Sequence, residues 1–309
     1  MPRASARSWT GIASASGGTK LAASASGDQI YTSTDSGLTW TPRETTRNWT
    51  AIASSTDGAK LAAVVSGGQI YTSVDSGANW IPRETARSWF SIASNADGVK
   101  LAAVVNGGQI FTSSDSGVTW NPRETSRNWW SIASSADGTS LVAGVHGGLI
   151  YTSTDSGVSW LPRLTVGSFP SVASSSDGIK LVAARYLGQI YVSTDGGATW
   201  SASENARRWR SDTMSSDGMR LAAVASGDQV YVSINGAATW SWHDQFRPWS
   251  SIASSADGAN FVAVVSGGQV YTSSGISPLQ GRVNKTIELI YDGNGQWVLV
   301  NQPDALPPP

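Results

Sequence analysis

Cysteine is absent from the 309 residues. That excludes disulfides, thiolate-bound zinc, iron–sulfur clusters and thiol catalysis. Histidine occurs only twice, as His146 and His243. An imidazole-rich metal site is therefore excluded, and a Ser-His-Asp arrangement would have to use one of these two, neither of which has a paired nucleophile. Charge is scarce at 14% and balanced, with 21 Lys+Arg against 22 Asp+Glu. A net charge of −1 gives no support to a nucleic-acid partner. No apolar run approaches the length of a membrane-spanning helix, so membrane insertion is not expected. The first residues, Met1 to Trp9, show no apolar signal-peptide core. The abundant residues are Gly, 33 copies, and Trp, 15 copies. Much Gly and Trp with little charge points to many short strands and many turns.

The dominant feature is a repeat. Trp9, Trp49, Trp89, Trp129, Phe169, Trp209 and Trp249 are 40 residues apart, and Trp40, Trp80, Trp120, Trp160, Trp200 and Trp240 keep the same period. Seven such units fill residues 1–280. Within the unit starting at Trp49, four short strands are expected over 51–55, 60–65, 69–73 and 79–84. The turns between them carry Asp57-Gly58, Gly67-Gly68 and Asp75–Gly77, where a positive φ is cheap. No segment has apolar residues at helical spacing. The pattern predicts an all-β fold, a seven-bladed β-propeller of four-stranded blades. An open solenoid is the rival, although its repeats are usually shorter and its ends need polar caps.

The seventh unit lacks its closing Trp, and Met1-Pro2-Arg3 matches Thr41-Pro42-Arg43 in register. The N-terminus is therefore expected to supply the missing outer strand, leaving no open edges. The alternative donor is 286–291. Residues 281–302 read as a C-terminal β-hairpin around Asp292-Gly293-Asn294-Gly295, similar to hairpins that end tail-fibre and other appendage modules. Residues 303–309 read as a Pro-rich tail.

The segment Ser33-Thr34-Asp35-Ser36-Gly37-Leu38-Thr39-Trp40 resembles the Asp-box, or BNR repeat. It recurs at 73–80, 113–120, 153–160 and 193–200, with a degraded copy at 233–240 carrying Asn235 and Ala237. The resemblance spans about 280 residues and implies an Asp-box propeller with Asp35, Asp75, Asp115, Asp155 and Asp195 in structural turns. Members of that family include sialidases, xyloglucan-cleaving glycosidases, sortilin-type receptors and a photosystem II assembly factor, so fold does not fix function. The units are near copies, whereas a glycosidase needs two carboxylates at one asymmetric site. No catalytic residue, cofactor or metal is expected.

The junction Pro-Arg-Glu-Thr-x-Arg-x-Trp is the candidate site. It groups Arg47 and Trp49 with Gln69, Arg87 and Trp89 with Gln109, then Arg127 with Trp129, Arg207 with Trp209 and Arg247 with Trp249. An aromatic face beside planar polar donors suits sugars. The competing reading packs the Trp between blades and pairs Arg47 with Glu44 on the surface. One sector departs from the pattern, at 164–170 and 185–187, and is a candidate contact surface. The expectation is a non-enzymatic, multivalent, lectin-like module for glycans or a surface protein, gaining avidity from repeated weak sites. The alternative is a structural or assembly component of a surface, appendage or virion complex, contacting neighbouring subunits through the hairpin. An extracellular, cell-surface or virion setting fits either.

Overall fold

The computed structural model describes residues 3–163 and 166–273, with two short strands beyond them, Leu289–Tyr291 and Trp297–Leu299. Every regular element among the described residues is a β-strand. The four expected strands of a unit are present as arms of longer elements. Leu61–Ser73 runs through the Gly67 turn, where φ is 72°. Its first arm pairs with Thr41–Ser54, and its second pairs with Ile81–Ser94. Where the same two arms separate, at Leu141–Val145 and Ile150–Ser153, they form a ladder from Leu141↔Ser153 to Gly144↔Ile150. The reason for the merging is hydrogen bonding. The tips of the Gly hairpins bond the incoming strand, with Ser66 opposite Ser88 and Gly68 opposite Arg87. The expected junction loop is thereby an extended strand. It bulges where Glu44, Glu84 and Glu124 take positive φ, between 49° and 51°.

Each strand such as Ile81–Ser94 ends one unit and begins the next, so consecutive units share a chain rather than a linker. The series returns to its start. Arg7 pairs with Gly268 and Ser8 with Ser266, while the Arg3 N–H donates to the Val270 carbonyl at 2.8 Å. The N-terminal segment thus lies beside the third arm of the last unit, as expected from the Pro2-Arg3 register. A second ring of bonds runs through the Asp-Gly turns. The N–H of residues 16, 56, 96, 136, 176, 216 and 256 each donates to the carbonyl of the next, and the last, Ala256, donates to Ser16.

The core lies between units. Ala13, Ala22 and Ile30 of one unit pack with Trp49, Ile52, Leu61 and Tyr71 of the next. Trp49 contacts the edge of Tyr71 at 5.2 Å and the Trp80 ring at 6.4 Å. The same geometry recurs around Trp9, Trp89 and Trp129.

Beyond the repeats, Leu289–Tyr291 and Trp297–Leu299 pair antiparallel, with Tyr291 opposite Trp297, at the place where the hairpin is expected. The 303–309 tail and the remaining hairpin residues lie outside the described residues, as do Leu164 and Thr165.

Candidate functional site

The Asp turns are built for stability. Asp35 accepts the Thr39 N–H at 2.9 Å and the Thr39 hydroxyl at 2.5 Å, and it accepts the Ser33 hydroxyl at 2.7 Å. Ser33 in turn accepts the Gly37 N–H at 2.9 Å, and the Trp40 indole donates to the Gly37 carbonyl at 3.0 Å. The network recurs at Asp75, Asp115, Asp155 and Asp195. Gly77 takes φ 86°, where glycine is favoured, and a Cβ there would meet the Thr32 methyl at 2.9 Å. In the degraded copy Ala237 holds φ 71° and Asn235 accepts the Thr239 N–H at 3.0 Å.

Hydrogen bonds from the Thr119 hydroxyl and N–H hold the Asp115 carboxyl down at about 2. The other four carboxyls are held there by the same kind of donors. A lowered folded-state value contributes stability above the ordinary carboxylate range near 4, and that contribution is lost as pH falls through about 2. Asp115→Ala is expected to lower stability by roughly 1 kcal/mol, kept small by solvent screening, and to leave ligand binding intact. Parallel melting and binding curves check this, and lost binding at an unchanged melting temperature would contradict it.

The junction residues are brought together, but as a closed set. Trp49, Trp89, Trp129 and Trp209 are 0% exposed, and Trp9 and Trp249 are 1% exposed. They present no face for a ligand, which corrects their assignment as stacking platforms. The physical reason is strand alternation: successive side chains point to opposite faces, and the Trp face is the one between units. The arginines are occupied too. Arg47 reaches Glu44 at 3.4 Å and lies 4.6 Å over the Tyr71 ring. Arg87 and Arg127 repeat this with Glu84 and Glu124, over Phe111 and Tyr151. Arg207 pairs with Glu204 and Asp228, and Arg247 with Asp244. The side-chain amides of Gln69 and Gln109 donate to the carbonyls of Glu84 and Glu124 at 2.8 and 2.9 Å.

The open site is one residue further along. The first arms of the units surround a cavity of about 700 Å³. The residue after each Trp or Phe169 lines it: Thr10, Thr50, Phe90, Trp130, Pro170, Arg210 and Ser250. Three of these lace neighbouring units together. Thr10 donates to the Trp49 carbonyl at 2.9 Å, Thr50 to Trp89 at 3.1 Å and Ser250 to Trp9 at 3.0 Å. The other four are consecutive and replace that hydroxyl by Phe, Trp, Pro and Arg. They form one arc. Phe90 meets Trp130 edge-on at 6.1 Å, Trp130 lies 4.5 Å from His146, and the Arg210 guanidinium lies 5.2 Å over Tyr186.

Behind the arc sits Asp212, at the position where five units carry Ile and one Val172. It is 6% exposed. Its Oδ1 accepts the Ser171 hydroxyl at 2.7 Å, and Oδ2 has no partner among the described residues. Burial pushes its carboxyl up to about 7. At the other end of the first arms a smaller cavity, about 180 Å³, is ringed by serines such as Ser14, Ser54 and Ser94.

This architecture is that of a β-propeller. A structure of YCF48 bound to D1 peptide superposes with a TM-score of 0.70 at 14% identity, covering 89% of this chain and 95% of that one. The GH74 enzyme of Niastella koreensis gives 0.74 at 17% identity, with 89% of this chain covering 53% of the enzyme. The Cps50 (Swd1) β-propeller domain of Myceliophteria thermophila gives 0.67 at 12%, covering 86% and 96%. At these identities the likeness is one of fold. No family model matches the chain, and no curated protein matches it.

Proposed function

We propose that the chain is a seven-bladed Asp-box propeller acting as a non-enzymatic binding module, and that it holds a glycan-bearing ligand at the mouth of its central cavity. The blade number rests on the 40-residue period and on the ring of turn-to-turn bonds that returns from Ala256 to Ser16. The family assignment rests on the Asp35-type turns. One observation carries the function. Near-identical units diverge most at one of the first-arm positions that line the cavity, and they do so as a continuous arc, Phe90, Trp130, Pro170 and Arg210. Aromatic faces and a planar cation beside hydroxyls are the groups that hold sugars. None of the described residues lining the cavity is Asp, Glu or His, which supports binding rather than glycoside cleavage.

The site is then single and asymmetric rather than repeated. A glycan array followed by titration tests it. The Phe90→Ala/Trp130→Ala double variant is expected to bind at least about ten-fold more weakly, the scale of one lost aromatic contact pair. The triple variant Arg47→Ala/Arg87→Ala/Arg127→Ala is expected to bind normally. The reverse pattern would restore the repeated junction sites. A second reading, a structural or assembly component, is favoured by a different feature: Trp242 and Phe246 on one outer strand are 65% and 70% exposed. Failure of every glycan to bind, with a protein partner lost on Trp242→Ser, would select it.

A further inference from the structure

Three arginines occupy positions where no other unit carries a charge: Arg185, Arg208 and Arg210. The fold brings Arg208 and Arg210 to one ring, with Arg185 next to it in the chain. Tyr186, adjacent to Arg185, lies opposite Arg208 in the ladder, and the Arg210 guanidinium stacks 5.2 Å over its ring. The backbone fixes Tyr186, whose N–H donates to the Ser168 carbonyl at 2.8 Å. The stem of Arg185 lies over bare glycine backbone; a Cβ at Gly188 would meet its Cδ at 2.6 Å, and one at Gly167 its Nε at 2.8 Å.

The nearby carboxylates are engaged elsewhere. Asp212 is buried and turned to Ser171. Glu204 and Asp228 are held by Arg207 at 3.6 and 3.0 Å. None of the seven ion pairs among the described residues involves Arg185, Arg208 or Arg210. A chain of net charge −1 therefore carries a local positive patch, and its Arg210 lines the cavity.

The geometry points to an anion site formed by Arg208 and Arg210 around Tyr186, with Arg185 behind them, that takes the carboxylate or sulfate ester of an acidic glycan seated along the Phe90–Trp130–Pro170 arc. This rests on the reading of the cavity mouth as a glycan site. The chemistry is complementary: guanidinium forks match planar oxyanions, and such charge-assisted bonds are the strong ones. The adjoining Trp130 and Phe90 supply apolar surface for sugar C–H faces. A long polyphosphate backbone is disfavoured, because the basic patch is confined to one junction rather than extended as a stripe.

The test is affinity electrophoresis of the full chain through gels carrying polygalacturonate, dextran sulfate or neutral dextran, at about 50 mM salt so that surface charge is not screened out. Retardation by one or both acidic polymers and not by dextran is expected, and the polymer that binds identifies the oxyanion. Arg208→Gln/Arg210→Gln should weaken that binding about ten-fold or more. Both side chains are exposed, so melting should not change. The charge-matched control Arg47→Gln/Arg127→Gln should bind as before. Equal loss in the control would reduce the effect to net charge and overturn the site. If a neutral glycan needs Trp130 while both acidic polymers are ignored, the anion site falls and the glycan reading stands. If no sugar of any kind binds, or only a phosphopeptide does, both fall.

Discussion

Replacing Trp129 and replacing Trp130, neighbours in one strand, are expected to give opposite phenotypes. Trp129 is 0% exposed, edge-on to Tyr151 at 5.2 Å and 6.4 Å from Trp160. Trp129→Ala leaves a cavity between units that the surrounding ladder cannot close, and should cost about 3–5 kcal/mol. Denaturant melts would show it as a lower midpoint. Trp130 faces the central cavity, touching Phe90 and His146. Trp130→Ala should leave the unfolding free energy within about 0.5–1 kcal/mol of the parent, since little packed surface is lost, while glycan binding weakens. If Trp129→Ala folded normally but lost ligand, the junction would be a binding site after all.

Asp212→Ile is expected to stabilise the protein, and more so as pH rises. The carboxyl sits where Ile12, Ile52, Ile92, Ile132 and Ile252 pack in other units, and its Oδ2 has no partner among the described residues. Burial raises its folded-state value to about 7, above an unfolded value near 3.9. Below about pH 4 both states are protonated and titration contributes nothing. Between about 4 and 7 the unfolded chain releases the proton while the folded chain keeps it, so stability falls as pH rises, and it levels off above 7. That difference corresponds to a loss on the order of 4 kcal/mol. Isoleucine removes that slope and restores the packing of the other units. The gap between the melting temperatures of variant and parent should therefore be smallest at pH 4 and wider by several degrees at pH 8. Parallel curves would mean that the carboxyl is solvated or paired.

The period of the Trp residues made the repeat legible, because a fixed spacing needs no knowledge of side-chain direction. The turns were legible for a related reason: Asp35, Gly37 and Trp40 act within eight residues, so their chemistry is local. The N-terminal seam could be read from Pro2-Arg3 because register is also a local match. The site was harder. Trp49, Arg47 and Gln69 read as a sugar platform, but whether a ring is exposed depends on which strand face meets the next unit, and alternation alone does not say which. Arg47 over Tyr71 and Gln69 on the Glu84 carbonyl are cross-strand contacts that sequence order hides. The missed signal was nonetheless present. Aligned at 40 residues, the position after each Trp holds six residue types in seven units, while its neighbours scarcely change. Departures at 185–187 were visible, and only the fold shows that Tyr186 meets Arg208 and Arg210 across the ladder.

The seam between Arg3 and Val270 has a kinetic consequence. Every other inter-unit contact joins segments about 40 residues apart, and forming one unit templates the next, so structure can spread along the chain in short steps. The seam alone must bring together residues separated by nearly the whole repeat array, and that loop-closure entropy falls on a single event. Closure should be the last and slowest phase of refolding. Until it occurs, the first and last units each display an unpaired strand edge of almost the same sequence as every internal edge. Two partly folded chains can satisfy those edges with one another, a whole unit out of step. Intermolecular ring exchange at high concentration is thus the characteristic misassembly of this architecture.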